Sequence, residues 1–295
     1  MNILIADDDD ASILLLKEML TKWGHEVVVA DDGAAAARLL AAPDGPLVAI
    51  LGALMRGMDG IDVCRTIRDS VRERYVYMIL LAAHTEAESA VAAMSAGADE
   101  YIAKPFSAQD VLVRVRAGRR IAELEQELRY RATRDALTDI YSRGAIIDLL
   151  HKEVARQGRS QHAVSIIFCD LDHFKDVNDT LGPLAGDEVL REVTRRMGAG
   201  LRPYDALGRY GGEEMLCVLP DCDLAGALEV AERMRAAVAA TPVSTQAGAV
   251  PITVSIGVAT MSRDEVSSLT ELLQRADNAL YRAKQNGRNC VTIGS

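Results

Sequence analysis

Residues 209–219 read Arg209-Tyr210-Gly211-Gly212-Glu213-Glu214-Met215-Leu216-Cys217-Val218-Leu219. A polar turn with two adjacent glycines runs into a continuous apolar segment. That order predicts a β-hairpin turned at Gly-Gly, with 215–219 as the returning strand. Glu213 and Glu214 then stand just past a turn where no side chain blocks a ligand. Upstream, residues 163–169 read as a buried strand that ends in Asp170 and Asp172. If that strand neighbours the hairpin, three or four of these carboxylates converge at one sheet edge. Like charges so close repel strongly unless a cation lies among them. Hard oxygen donors at that density suit Mg²⁺, which keeps waters and takes phosphate oxygens. Lys175 follows the Asp pair, while Lys284 and Arg288, four apart, are expected to share a face at the end of the last helix. A nucleoside triphosphate needs a metal and such cations together.

Outward from the hairpin, residues 144–156, 184–197, 224–240 and 269–285 read as helices and 252–261 as a strand. A hairpin beside strands makes this half α+β with an antiparallel component. Residues 1–106 are organised differently. Strand candidates at 2–6, 26–30, 47–51, 76–81 and 100–103 alternate with helical patterns at 10–22, 33–42, 60–70 and 86–96. Repeated βα units with tight connections predict a parallel five-stranded sheet with helices on both faces. From Ser107 to about Arg134 the pattern is helical, and Ile121, Leu124 and Leu128 form a short seam among charges. Fewer than three heptads make no independent coiled coil. They suit a connecting helix that pairs with its twin in a dimer or packs on its own domain. The expected division is 1–118, a linker helix at 119–134, and 135–295.

Length and composition agree with two globular domains, at 295 residues and 49% hydrophobic. Acids outnumber bases 43 to 33, a net charge of −10, which argues against a protein that coats DNA or RNA. No stretch approaches the roughly 20 apolar residues that span a bilayer, and the start lacks the basic region of a signal peptide. The five cysteines show no CxxC spacing, which argues against zinc; Cys169 and Cys217 read as core residues. A reducing cytoplasm is the expected compartment.

Residues 135–295 resemble the GGDEF family of diguanylate cyclases. The resemblance rests on Asp135-Ala136-Leu137-Thr138 with Arg143, then Asp170-Leu171-Asp172-His173-Phe174-Lys175-Asp176-Val177-Asn178-Asp179. Gly186-Asp187-Glu188, the Gly211-Gly212-Glu213-Glu214 turn, Ser255-Ile256-Gly257-Val258, Arg275-Ala276-Asp277 and Ala283-Lys284-Gln285-Asn286-Gly287-Arg288-Asn289 follow in order. The resemblance implies synthesis of cyclic di-GMP from two GTP by a homodimer. It implies that Asp170, the Leu171 carbonyl and Glu213 hold Mg²⁺ or Mn²⁺, with Glu214 as ligand or general base. Asn178 and Asp187 would read the guanine edge; Lys175, Lys284 and Arg288 would hold phosphates, with Phe174 and Leu171 near them. Arg202, Asp205 and Arg233 match the family's product-inhibition site. Two departures stand out. Met215 replaces the usual Phe and is expected in the core, and Pro183 replaces a common His and is expected to alter the loop before Asp187.

Residues 1–106 resemble the receiver domain of response regulators, a doubly wound flavodoxin-like sheet. Asp7 and Asp8 match its acidic pair, Lys104-Pro105 its lysine–proline pair, and Gly57-Met58-Asp59-Gly60 its third loop. The phosphoacceptor position is the exception. It falls in Leu51-Gly52-Ala53, and Gly52 cannot form an acyl phosphate. Ala82 stands for the sensing Thr or Ser, and Arg56 for the usual Pro. The expectation is a receiver that works without aspartyl phosphorylation, as a dimerisation module or a dock for an unknown protein. The rival reading is a non-catalytic protein that senses GTP or cyclic di-GMP.

Overall fold

The computed structural model describes residues 1–70, 74–82, 87–157, 163–261 and 268–294. The chain divides into two units, Met1–Arg129 and Tyr130–Ser295.

In the first unit, Asn2–Ala6 (β1) is an aliphatic run, buried after its first residue. It pairs in parallel with Glu26–Ala30 (β2) on one side and Val48–Gly52 (β3) on the other. Tyr77–Ala82 (β4) and Glu100–Ala103 (β5) extend the sheet, also in parallel. The order β2-β1-β3-β4-β5 is that of the doubly wound flavodoxin type, as expected. Alternate residues of the same strands feed two cores, Leu4, Ala49, Leu51 and Leu80 on one face and Ile3, Ile5, Ile50 and Ile79 on the other. The helices Asp10–Lys22 (α1), Gly33–Ala41 (α2), Gly60–Asp69 (α3) and Ala87–Ser95 (α4) supply the crossovers. The expected first residue of α4, Glu86, lies outside the described residues. Asp9 caps α1 by accepting from Ala11 N, and Asp32 caps α2 by accepting from Ala35 N. Ala108–Thr133 (α5) is a 26-residue helix that buries Val111, Val115 and Ala122, while Ile121, Leu124 and Leu128 are exposed.

The second unit contains Arg143–Gln157 (α6), Val164–Leu171 (β6), Phe174–Leu181 (α7), Pro183–Gly198 (α8), Ala206–Arg209 (β7) and Glu214–Pro220 (β8). Leu224–Ala239 (α9), Val243–Thr245 (β9), Gly248–Val250 (β10), Val254–Met261 (β11), Leu269–Gln285 (α10) and Val291–Ile293 (β12) complete it. The main sheet has the order β12-β11-β6-β8-β7. All its pairs are antiparallel except β11 with β12, so the sheet is mixed. The hairpin is β7–β8, turned at Tyr210-Gly211-Gly212-Glu213, and it lies beside β6 as expected.

The pleat of β6 decides where chemistry can occur. Ile167, Cys169 and Leu171, with Met215 and Cys217 from β8, join the core that packs on α8 and α9. Ile166 and Phe168, with Leu216 and Val218, join the core against α6 and α10. By the two-residue period, Asp170 and Glu214 continue the α6/α10 face. Met215 is fully buried, as expected for the residue in place of Phe.

Three elements were not visible in the sequence: α7, the β9–β10 ribbon and the edge strand β12. One expectation is corrected. Lys284 and Arg288 do not share a helix face, because α10 ends at Gln285 and Arg288 lies in a left-handed turn with φ of 65° after Gly287. Pro183 takes the first turn of α8, four residues before Asp187, where its fixed φ suits the helix and its missing N–H leaves no intrahelical bond unmade. Gly182, with φ of 84°, makes the break between α7 and α8.

Candidate active site

Asp170 and Glu214 are register partners across β6 and β8. Lys284, reaching from α10, places Nζ 2.8 Å from Asp170 Oδ2. Asp170 is 8% exposed. Burial pushes its carboxyl above the usual range, and Glu213 and Asp172 add to the rise, while Lys284 opposes it. Burial also raises Glu214, followed by the charge of Asp170, with Asp277 and Glu213 adding and Lys284 opposing. The edge therefore holds more negative charge than its one lysine balances.

A brace positions the Gly-Gly turn. Arg209 donates from Nε and Nη2 to Gly212 O at 3.0 and 2.8 Å. Its Nη1 pairs with Asp135 Oδ1 at 3.1 Å. Asp135 in turn accepts from Thr138 N at 3.0 Å and Thr138 Oγ1 at 2.7 Å. The turn also bonds to β6, where Leu171 N donates to Glu213 O at 3.4 Å. Arg209 and Asp135 carry no role in the sequence reading; the signal for them is an aspartate three residues before a threonine, whose carboxylate accepts from that threonine's backbone as at a helix N-cap.

Asp172 is a correction. It was expected in the acidic cluster, and its carboxylate is spent elsewhere. Oδ1 accepts from Ser255 Oγ at 2.6 Å, and Oδ2 accepts from Thr253 Oγ1 at 2.6 Å and Asn289 N at 3.0 Å. With three donors on its two oxygens, this buried carboxylate is engaged away from the Asp170–Glu214 edge. Asp170, Glu213 and Glu214 remain as hard oxygen donors at one strand end. The buried Asp170 already selects a cation, the Lys284 ammonium, so the donor chemistry fits Mg²⁺ or Mn²⁺. Among the described residues no three acidic, His or Cys side chains are drawn into a ready ligand cluster.

The expected guanine readers lie on the paired helices α7 and α8. Phe174 is buried and anchors the first turn of α7, while Lys175 is exposed beside it. Asn178 passes over Gly186, where a Cβ would lie 1.9 Å from its Oδ1. Only glycine permits that approach. Asp187 follows Gly186 and is half-buried. Of the expected product site, Asp205 Oδ2 accepts from Arg202 N at 2.8 Å, and Arg233 donates to Gly200 O at 2.7 Å. Arg202 and Arg233 are exposed.

In the first unit, Lys104 Nζ lies 2.9 Å from Asp7 Oδ1 and 2.8 Å from Oδ2. Gly52 abuts this pair: a Cβ there would sit 3.1 Å from both Asp7 Cγ and Oδ2. Ala82 ends the neighbouring β4. Asp8 pairs with the exposed Arg56 at 3.6 Å. Asp9 accepts from Ser12 Oγ at 2.6 Å, and Asp59 accepts from Met55 N at 3.1 Å.

Residues 132–290 match the family described as the diguanylate cyclase GGDEF domain, and residues 3–116 match the response regulator receiver domain. The chain belongs to the GGDEF family, carrying a receiver domain ahead of its GGDEF domain. It is 32% identical over 257 residues to the response regulator PleD of Caulobacter vibrioides, covering 84% of this chain and 56% of that protein. It is 38% identical over 168 residues to the diguanylate cyclase DgcP of Pseudomonas aeruginosa, covering 57% of this chain and 25% of that one. The chain thus spans about half of PleD and less of DgcP. Among solved structures it resembles the coiled coil and GGDEF domain of DgcB from Caulobacter crescentus in complex with c-di-GMP. That match has a TM-score of 0.58 and 31% identity, and covers 63% of this chain and 97% of that one.

Proposed function

We propose that this chain is a cytoplasmic diguanylate cyclase that converts two GTP to cyclic di-GMP and two pyrophosphates. The observation that carries the reading is the register pair Asp170–Glu214, with Lys284 on Asp170 and excess negative charge around it. The named activity of DgcP and the c-di-GMP bound to DgcB support the same reading.

In this account Asp170, the Leu171 carbonyl, Glu213 and Glu214 hold Mg²⁺ or Mn²⁺. Such an ion would draw charge from the phosphate oxygens as the bond to the leaving pyrophosphate breaks. Lys175, Lys284 and Arg288 hold the triphosphate; Asp187 accepts from the guanine N–H groups and Asn178 pairs along the same edge. Glu214 takes the proton from the 3′-hydroxyl of one GTP as that oxygen bonds to the α-phosphorus of the other. Each domain holds one GTP, so two copies must face each other with two-fold symmetry. Arg202, Asp205 and Arg233 bind the anionic product and limit turnover. The receiver acts without aspartyl phosphorylation, as a homodimer contact or as a dock for an unidentified protein.

The test is direct. Purified protein with GTP and Mg²⁺ should form cyclic di-GMP, and Glu214→Ala should cut the rate by about 10²–10⁴. Undiminished product from Glu214→Ala would overturn the assignment.

A further inference from the structure

Arg288 sits in a turn with an unusual backbone. Gly287, Arg288 and Asn289 have φ of 102°, 65° and 44°. Glycine adopts the left-handed region freely. Two following residues with side chains hold it only where their surroundings impose it. The surroundings here are specific. Arg288 N donates to Ala283 O at 3.1 Å, tying the turn to the end of α10. Asn289 N donates to Asp172 Oδ2 at 3.0 Å. From the opposite side, Arg235 on α9 donates from Nη1 to Asn289 Oδ1 at 2.8 Å.

Both anchors are themselves fixed. Asp172 is 4% exposed and accepts from Ser255 and Thr253 at the start of β11. Arg235 is gripped by Glu232, with Nη2 2.6 Å and Nε 2.9 Å from its carboxylate oxygens. Asn289 is therefore clamped between Asp172, just past the end of β6, and Arg235 on α9, one residue from Arg288. A long, exposed arginine has many rotamers, and fixing its backbone removes part of the ordering cost of gripping a phosphate.

We propose that Arg235, Asn289 and Asp172 are positioning residues that hold the 287–289 turn so that Arg288 meets the triphosphate. This rests on the reading of Arg288 as a phosphate-holding residue. It assigns Asp172 a task in the site other than metal binding, and it assigns Arg235 one for the first time. Neither residue need touch the substrate.

The experiment is equilibrium binding of two probes to the full chain with Mg²⁺. One is GTP with a methylene between the α- and β-phosphorus, and the other is guanosine. Arg235→Ala should weaken the GTP analogue about tenfold and guanosine by less than about twofold, and Arg288→Ala should do the same. The double variant should bind the analogue no more weakly than Arg288→Ala, because Arg235 acts through Arg288. Arg235→Lys, which keeps one donor for Asn289, should recover most of the affinity. Asn289→Gly keeps the backbone and loses the clamp, and supplies the same test if Arg235→Ala fails to fold. Equal loss of both probes, or losses that multiply in the double variant, would overturn the proposal, as would a wild-type chain that binds both probes equally. A wild-type chain that shows the expected pattern but forms no cyclic di-GMP would sink the cyclase reading and leave the clamp standing.

Discussion

Both units end a buried strand in an aspartate held by a lysine. Lys104 reaches Asp7 at 2.8 Å, and Lys284 reaches Asp170 at the same distance. Their surroundings separate them. At Asp7 the glycine at 52 lets the carboxylate close down, and Asp9 and Asp59 are spent on local hydrogen bonds. The lysine there hydrogen-bonds Asp7 Oδ1, lies 2.8 Å from Oδ2, which is buried without a hydrogen-bond partner, and stands 3.8 Å from Asp9. At Asp170 the lysine takes one oxygen, and Glu213, Asp172, Glu214 and Asp277 add charge beyond what Lys284 offsets. A buried lysine–aspartate pair is therefore no functional signature by itself. Excess carboxylate charge beside it is, because a bound cation or a proton must relieve it.

The largest expected contrast is between the two lysines. Lys284→Met should lower cyclic di-GMP formation by about 10²-fold, whereas Lys104→Met should change it by less than about threefold in the purified chain. Equal effects of the two, in the same assay, would remove the distinction.

Next is phosphorylation. Gly52→Asp should not yield a base-labile phosphoprotein with acetyl phosphate, because its Cβ meets Asp7 and Ala82 offers no hydroxyl. It should also destabilise the receiver by about 1–3 kcal/mol through overpacking, read by chemical denaturation.

The aspartates should also respond oppositely in the metal-free protein. Asp7→Asn leaves Lys104 with only the more distant Asp9, 3.8 Å away, and should cost about 1–3 kcal/mol. Burial holds the Asp170 carboxyl above its ordinary value. A carboxyl raised in the folded state supports folding fully below its unfolded pKa, and that support is lost as pH rises through the folded pKa. At neutral pH its ionised form therefore costs stability, and Asp170→Asn should raise Tm, on the order of 2 °C. A fall in Tm would contradict the charge excess.

The smallest effect follows from the same sign. Added Mg²⁺ competes with protons for these carboxylates. It should raise Tm by more at pH 8 than at pH 6, and Asp170→Asn should abolish the difference.

Much of this comparison was legible in the sequence, for identifiable reasons. Aliphatic runs such as Ile3-Leu4-Ile5 and Ile166-Ile167 mark buried strands by composition alone, so the parallel sheet and β6 could be placed. The Gly211-Gly212 turn fixed the hairpin and with it the Asp170–Glu214 neighbours. The edge strand β12 and the β9–β10 ribbon were not legible, because three residues carry no periodicity. Helix α7 has Phe174, Val177 and Leu181 at helical spacing, but its eight residues are too few for that spacing to stand out from a loop. Asp172 was misplaced for a subtler reason. Sequence shows a carboxylate but not its partners, and Ser255, Thr253 and Asn289 lie more than eighty residues away. Arg288 was misplaced because helical spacing was carried past Gly287, where the chain turns left-handed.

The most direct measurement is cyclic di-GMP formed from GTP and Mg²⁺ by the wild-type chain, with and without acetyl phosphate. The charge-rich GGDEF edge and the glycine at the receiver's acceptor position, Gly52, predict steady product at a rate that acetyl phosphate leaves unchanged. No product, or product only after acetyl phosphate, would contradict the account.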